Sequence, residues 1–253
     1  MDAMTTLEDA APVKVRMTGE GSAVHLELDS PATRNALSPE TVRALRRAVE
    51  SAVAEERAAL VMTSTGPAFA AGMDLRQIDH ADDETLRRQF REIQGLLTDL
   101  YQAPLVTVAV LDGDAVGAGA DLALACDHRI GSPRTTFRFP GPQFGLLLGT
   151  RRLAQETSPA IAQGLALTGA KLSARRALDV GLLTQLVESD QLESTAGAVV
   201  GAAGSSVVGI AGLTRAVRRD RPAQSDLELL EESMTPGLAQ RMTAFRDRTG
   251  RRR

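Results

Sequence analysis

Disulfides are out of reach for this chain, because it has a single cysteine, Cys126, in 253 residues. A lone thiol fits a reducing compartment, and its apolar neighbours Leu122, Ala123, Leu124 and Ala125 make it a buried, inert side chain rather than a nucleophile. Aromatics are almost as scarce, at 3% with no tryptophan. The core must therefore be built from Ala, Leu and Val with backbones packed close together, and a 43% hydrophobic content suffices for a sizeable one. Lysine is nearly missing: of 29 basic residues only Lys14 and Lys171 are lysine. A net charge of -3 argues against a general nucleic-acid binder, whose balance is usually basic. No apolar stretch approaches a membrane span, the longest being Ala103 to Leu111. The first residues carry neither a basic nor an apolar signal segment, so the expectation is a cytoplasmic protein. Three well-separated histidines (His25, His80, His128) and one cysteine offer no metal-ligand spacing. Dinucleotide and P-loop fingerprints are absent too, Gly117-Ala118-Gly119 standing in the wrong context for either.

What is present is an alternation of strands and helices. Val13–Thr18 and Ala23–Leu28 are β-rich and joined by Gly19-Glu20-Gly21-Ser22, a hairpin pattern. Ser38-Pro39-Glu40 supplies a cap, a pre-set φ and an acid at a helix start, and that helix should run to about Glu56. Ala59–Ser64 reads as a buried strand; Asp82 or Asp83 can cap a long helix to about Tyr101. Val106–Leu111 is continuously apolar, as a strand covered on both faces should be. A short helix from Ala118, short strands at Asp127–Gly131 and Thr135–Phe139, and helices begun by Ser158-Pro159 and Ser173 follow. The class is α/β. Beyond about Ser189 only helices are expected, with turns near Gly201–Ser206, Pro222 and Pro236-Gly237, and Arg251-Arg252-Arg253 reads as a solvated tail.

Two stretches break this rhythm because their side chains are pared away: Phe69-Ala70-Ala71-Gly72-Met73-Asp74-Leu75, and the run from Gly113 to Leu122 with glycines at 113, 117 and 119. Small residues let a ligand approach the backbone, so the working parts of such loops are N–H groups. Two N–H groups converging on one carbonyl oxygen would polarise a thioester and stabilise its enolate. Taken singly, either loop could equally be a tight strand-to-helix turn.

These loops, with Pro31-Ala32-Thr33-Arg34-Asn35-Ala36-Leu37-Ser38, the segment Leu167–Ala177 and Gly181-Leu182-Leu183, resemble the enoyl-CoA hydratase/isomerase (crotonase) superfamily in order and spacing. The C-terminal Met242–Arg248 is similar to the family's last helix. The resemblance implies a spiral of ββα units over residues 1–188 and a helical region over 189–253 that trimerises and covers the site. It implies an acyl-CoA thioester as ligand, with no cofactor beyond the coenzyme A of the substrate, and a homotrimer or hexamer. Carried over residue by residue, the oxyanion donors are the N–H groups of Met73 and Ala118. Ala71, Gly72, Asp74, Leu75 and Gly117 surround them. Arg34 and Ala36 fall at the edge of the CoA nucleotide pocket, and Arg248 near its adenine end.

Family hydratases use two glutamates. The first falls on Asp121, a carboxylate one methylene shorter that shares a helix face with Ala118. The second, in the register set by Phe137 and Pro140, falls on Gly141, which can neither take nor give a proton. The following Gly145–Leu153 stretch is also shorter than the family's glycine-rich loop. Losing one positioned acid–base group costs roughly 10²–10⁴ in rate, so hydration is doubtful while one-base reactions such as moving a double bond stay open. His80, Asp79, Asp82 or Asp83 could supply a substitute, and Gln143 or Arg138 could orient a polar group. Two readings result: an acyl-CoA enzyme of hydratase/isomerase type, or a non-catalytic acyl-CoA binding protein on the same fold.

Overall fold

The computed structural model describes residues 13–18, 23–204, 213 and 223–250. The expected hairpin turn at 19–22, the turn at Pro222 and the arginine tail lie outside the described residues, as does the end of the turn expected near Gly201–Ser206.

Three long strands, β3 (Ala59–Ser64), β5 (Val106–Leu111) and β7 (His128–Gly131), are each followed by a short one: β4 (Ala68–Ala70), β6 (Asp114–Val116) and β8 (Thr136–Arg138). Each pair leads into a helix: α2 (Asp83–Gln102), α3 (Ala118–Leu124) and α4 (Thr150–Glu156). This is the expected ββα spiral. The long strands join β1 (Val13–Thr18), β2 (Ala23–Leu28) and β10 (Gln185–Leu186) in a six-stranded sheet of order β1-β2-β3-β5-β7-β10. Only the β1/β2 pair in it is antiparallel. The short strands join β9 (Leu172–Ser173) in a second sheet, β4-β6-β8-β9.

The large sheet is apolar on both faces. Val61, Val108, Val110 and Ile130 pack on Leu192 and Ala196 of α7 (Leu192–Gly204). Leu60, Met62, Ala109 and Leu111 belong to the main core with α1 (Pro39–Ala54) and α2. The α1 start is as expected, Ser38 Oγ accepting from the Thr41 N–H at 3.2 Å. At α2 the cap is Asp82, which accepts from the Thr85 N–H at 2.8 Å. Asp83 reaches elsewhere: it accepts from the N–H groups of Gly237 and Ala239 at 2.6 and 2.8 Å and so caps α9 (Leu238–Gly250). The remaining helices are α5 (Pro159–Thr168), α6 (Ala174–Asp179) and α8 (Ala223–Ser233). Among the described residues no helix is long and apolar enough to cross a membrane.

Two expectations need correction. The pared-down stretches are not all loop, since the first begins inside the three-residue strand β4 and the second contains the three-residue strand β6. Such strands are too short to show alternation and form because a neighbour pairs with them. Gly201 lies inside α7 rather than in a turn, because the preceding apolar face, anchored by Leu192 and Ala196, continues to Ala203 on Ala23, Ala58 and Ala59.

Candidate active site

A cavity of about 430 Å³ opens where β4 and β6 end, between the N-terminus of α3, the Pro140–Gly149 segment and α9. Of the residues singled out from sequence, Arg34, Ala71, Met73, Leu75, Gly117, Ala118, Asp121 and Gly141 line it. Gly72, Ala36, Asp74 and Arg248 do not. Gly72 acts from behind the wall: it holds φ +78°, and a Cβ there would stand 2.6 Å from Val116 O and 3.0 Å from Ala118 N. It therefore lets the two loops touch. Ala36 is buried beside Leu37, whose N–H donates to Gly72 O at 2.8 Å. Arg248 is exposed on α9.

The two loops are clasped so that their donors stay unused. Ala71 N–H donates to Arg34 O at 3.0 Å and Gly117 N–H to Arg138 O at 2.8 Å, whereas the N–H groups of Met73 and Ala118 bond to nothing among the described residues. Gly117 takes φ 55° and ψ -127°, a corner that L side chains avoid. The corner turns the chain from β6 into α3, making Ala118 N–H the first donor of that helix.

Asp121, a helical turn further on, is 6% exposed. No described group donates a hydrogen bond to its carboxylate, and burial pushes its pKa up to about 7. It lies against Gly149, where a Cβ would fall 1.9 Å from Asp121 Oδ1. Phe90, Phe144, Leu146, Leu148, Met242 and Phe245 give the cavity an extensive apolar lining. Phe144 and Phe245 meet ring to ring at 5.2 Å, so the C-terminal helix closes this end.

Gly141 is sealed. Leu146 N–H donates to Gly141 O at 3.0 Å, and a Cβ on Gly141 would meet Leu146 O at 2.8 Å. The short loop folds its own carbonyl over the position where a second carboxylate would begin.

The candidate substitutes are engaged elsewhere and none lines the cavity. Asp79 pairs with Arg246 at 2.7 Å, Asp82 caps α2 and Asp83 caps α9. These are corrections: Asp79 and Asp83 were recruited by cation and backbone partners from the chain's far end, and Asp82 by the N–H of its own helix start. The His80 side chain lies outside the described residues. Gln143 donates to Thr168 O at 2.7 Å, away from the cavity, while Arg138 lines it and donates to Gly169 O at 2.8 Å.

Sequence reasoning missed the polar end of the same cavity. There Asp114 accepts from Thr136 Oγ1 at 2.6 Å and pairs with Lys171 at 3.0 Å and with Arg34. Burial alone would raise this carboxyl; the bonds from Thr136, Lys171 and Arg34 outweigh it and hold its pKa below the usual value. The scarcity of lysine was the available signal, since Lys171 sits within a motif already singled out.

Comparison with known proteins agrees with this architecture. Residues 18–230 match the Enoyl-CoA hydratase/isomerase family. "Enoyl-CoA hydratase domain-containing protein 3, mitochondrial" of Danio rerio is 32% identical over 195 residues, 72% of this chain and 68% of its own length. A crystal structure assigned to the enoyl-CoA hydratase/isomerases, from Bordetella parapertussis, superposes with a TM-score of 0.89 at 31% identity, covering 93% of this chain and 98% of that one. An enoyl-CoA hydratase/isomerase from Xanthobacter autotrophicus Py2 gives 0.80 at 25% identity, with 88% and 84% covered. With a family match spanning most of its length, the chain belongs to the enoyl-CoA hydratase/isomerase (crotonase) family.

Proposed function

We propose that this protein is an acyl-CoA enzyme of the isomerase kind, which moves a double bond into conjugation with a thioester rather than adding water across it. The thioester oxygen sits between the N–H groups of Met73 and Ala118. Asp121, as carboxylate, takes a proton from the carbon next to the thioester carbonyl, and the electron pair passes into a dienolate whose oxyanion the two donors stabilise. The same carboxyl then returns the proton to the γ-carbon, so one group performs both transfers and nothing is left over. The observation that carries this reading is that one desolvated carboxyl and two N–H groups, none of them bonded among the described residues, line the same cavity. An acid with a pKa near neutrality is matched to proton exchange at physiological pH. Hydration needs a second group to hold water, and at Gly141 the Leu146 carbonyl stands where its side chain would begin.

The second reading, an acyl-CoA binder without turnover, is favoured by the sealed Gly141. A single experiment separates the two. The protein is incubated with 3-enoyl-CoA and 2-enoyl-CoA esters of several chain lengths; conjugated-thioester absorbance reports turnover and calorimetry reports binding. We expect conversion of 3-enoyl esters, negligible hydration of 2-enoyl esters, and a loss of roughly 10²–10⁴ in rate for Asp121→Asn with affinity within a few-fold. Binding without turnover at every length establishes the second reading. Turnover that survives Asp121→Asn removes Asp121 from the mechanism.

A further inference from the structure

Behind the Asp121 carboxyl lies a buried charge cluster that the proposed reaction leaves unexplained. Arg152 follows Gly149 by less than one turn of α4 and is 3% exposed. Its guanidinium stands over the Tyr101 ring, 5.0 Å from the centroid. One Nη donates to Asp226 of α8 at 3.3 Å, while the other is buried with no hydrogen-bond partner. Arg151 also approaches Asp226, at 3.8 Å from the more exposed side. Arg152 and Asp121 do not close into a salt bridge, although each lies within the other's field. On the other elements packed against α3, Asp114 of β6 is engaged by Arg34 and Lys171, Asp99 of α2 by Arg46 at 2.7 Å and Arg91 of α2 by Glu231 at 2.6 Å, while the buried Nε of Arg87 on α2 has no hydrogen-bond partner.

We propose that Arg152 and Asp226 form a positioning pair, in which Asp226 on α8 holds the guanidinium back from Asp121 and so keeps that carboxyl free to exchange a proton with substrate. The inference rests on Asp121 as the proton-transfer group. Its logic is competition for a single cation. A guanidinium released from Asp226 has an unused Nη and a second carboxyl nearby, and a bidentate pair would fix Asp121 as a permanent anion. Asp226 and the Tyr101 face together occupy the guanidinium instead. Burial is the largest influence raising the Asp121 carboxyl; Arg152 opposes it and Asp226 reinforces it, the signs this arrangement requires.

The test reads Asp121 directly. In protein labelled with ¹³C at the aspartate carboxyls, the Asp121 signal is identified by its loss in Asp121→Asn and titrated by NMR. Asp226→Asn should lower its midpoint by about one pH unit or more, and the rising limb of the kcat/KM pH profile should move with it. Replacing both charges at once (Arg152→Met with Asp226→Leu), a change that buried pairs often tolerate, should leave the midpoint unchanged or higher. Asp226→Glu should restore the native midpoint. An unmoved midpoint in Asp226→Asn overturns the inference, as does a fall in the charge-free double variant, which also carries the test if Asp226→Asn does not fold. Absence of turnover in the native protein defeats the proposed reaction but leaves the titration to decide on the pair.

Discussion

Asp114 and Asp121 line one cavity on either side of the Gly117 corner, and their circumstances are opposite. Asp114 holds Thr136, Lys171 and Arg34, and its carboxyl lies below the usual value. Asp121 has no hydrogen-bond partner among the described residues, faces carbon, and has a pKa near 7. The same side chain is an anchor in one place and, in the mechanism we propose, a proton carrier in the other. What separates them is the supply of donors: β6 runs beside β8 and its Thr136, whereas α3 turns its first-turn carboxyl towards Gly149 and the leucines after Gly145. Cations hold the polar end in place, whereas no cation pairs with Asp121 among the described residues.

The sharpest way to break this contrast leaves both aspartates in place. Gly149 has φ -103°, which alanine adopts freely, so Gly149→Ala changes only the space next to Asp121 Oδ1. The added methyl must push the carboxylate aside, at a cost of about 1–3 kcal/mol in stability. Turnover of 3-enoyl-CoA should fall roughly 10²-fold, with acyl-CoA affinity retained in calorimetry. Unchanged kinetics would show that the location of the carboxylate does not matter.

A second effect is thermodynamic. The Asp121 carboxyl rises from an ordinary value of 3.8 to about 7 on folding. Below the unfolded value both states are protonated and nothing is lost. As pH rises towards 7 the unfolded chain ionises first, so the native state loses stability and stays penalised above that point. Asp121→Asn avoids the penalty. Its stability relative to the native protein should therefore grow from about zero at pH 4 to at most about 4 kcal/mol above pH 7. Paired urea titrations at the two pH values check this, and an advantage independent of pH would mean Asp121 is solvated.

These effects also mark what could be read from the chain beforehand. The long strands β2, β3 and β5 were visible to the residue, because an alternating run in β2 and apolar runs in β3 and β5, bounded by turn residues, leave little choice of boundary. The two loops drew notice because small residues let a ligand reach the backbone, whereas Met73, Ala118 and Asp121 were singled out within them only through the family resemblance. β4 and β6 were not, since a three-residue strand exists only through its neighbour. Asp79, Asp82 and Asp83 read as spare acids because the Arg246 guanidinium and the α9 N–H groups that engage two of them come from the far end of the sequence. Arg152 and Asp226 were hidden for the same reason: the pair joins α4 to α8, and each residue alone resembles a surface charge. Gly149 carried no signal at all, as its meaning lies in the carboxylate opposite.

The smallest expected effect completes the comparison at its polar end. Asp114→Asn keeps the shape and an acceptor for Thr136 but removes the charge that Arg34 and Lys171 share. Those side chains are 37% and 61% exposed, so water takes over much of what the carboxylate supplied. The stability loss should stay within about 1 kcal/mol. Turnover should change by a few-fold at most, and its pH midpoint should not move, because the Asp114 charge is already screened by its two partners at the cavity mouth. A displaced midpoint would mean the two aspartates titrate as a coupled pair. The corner at Gly117 would then connect one electrostatic unit rather than divide two.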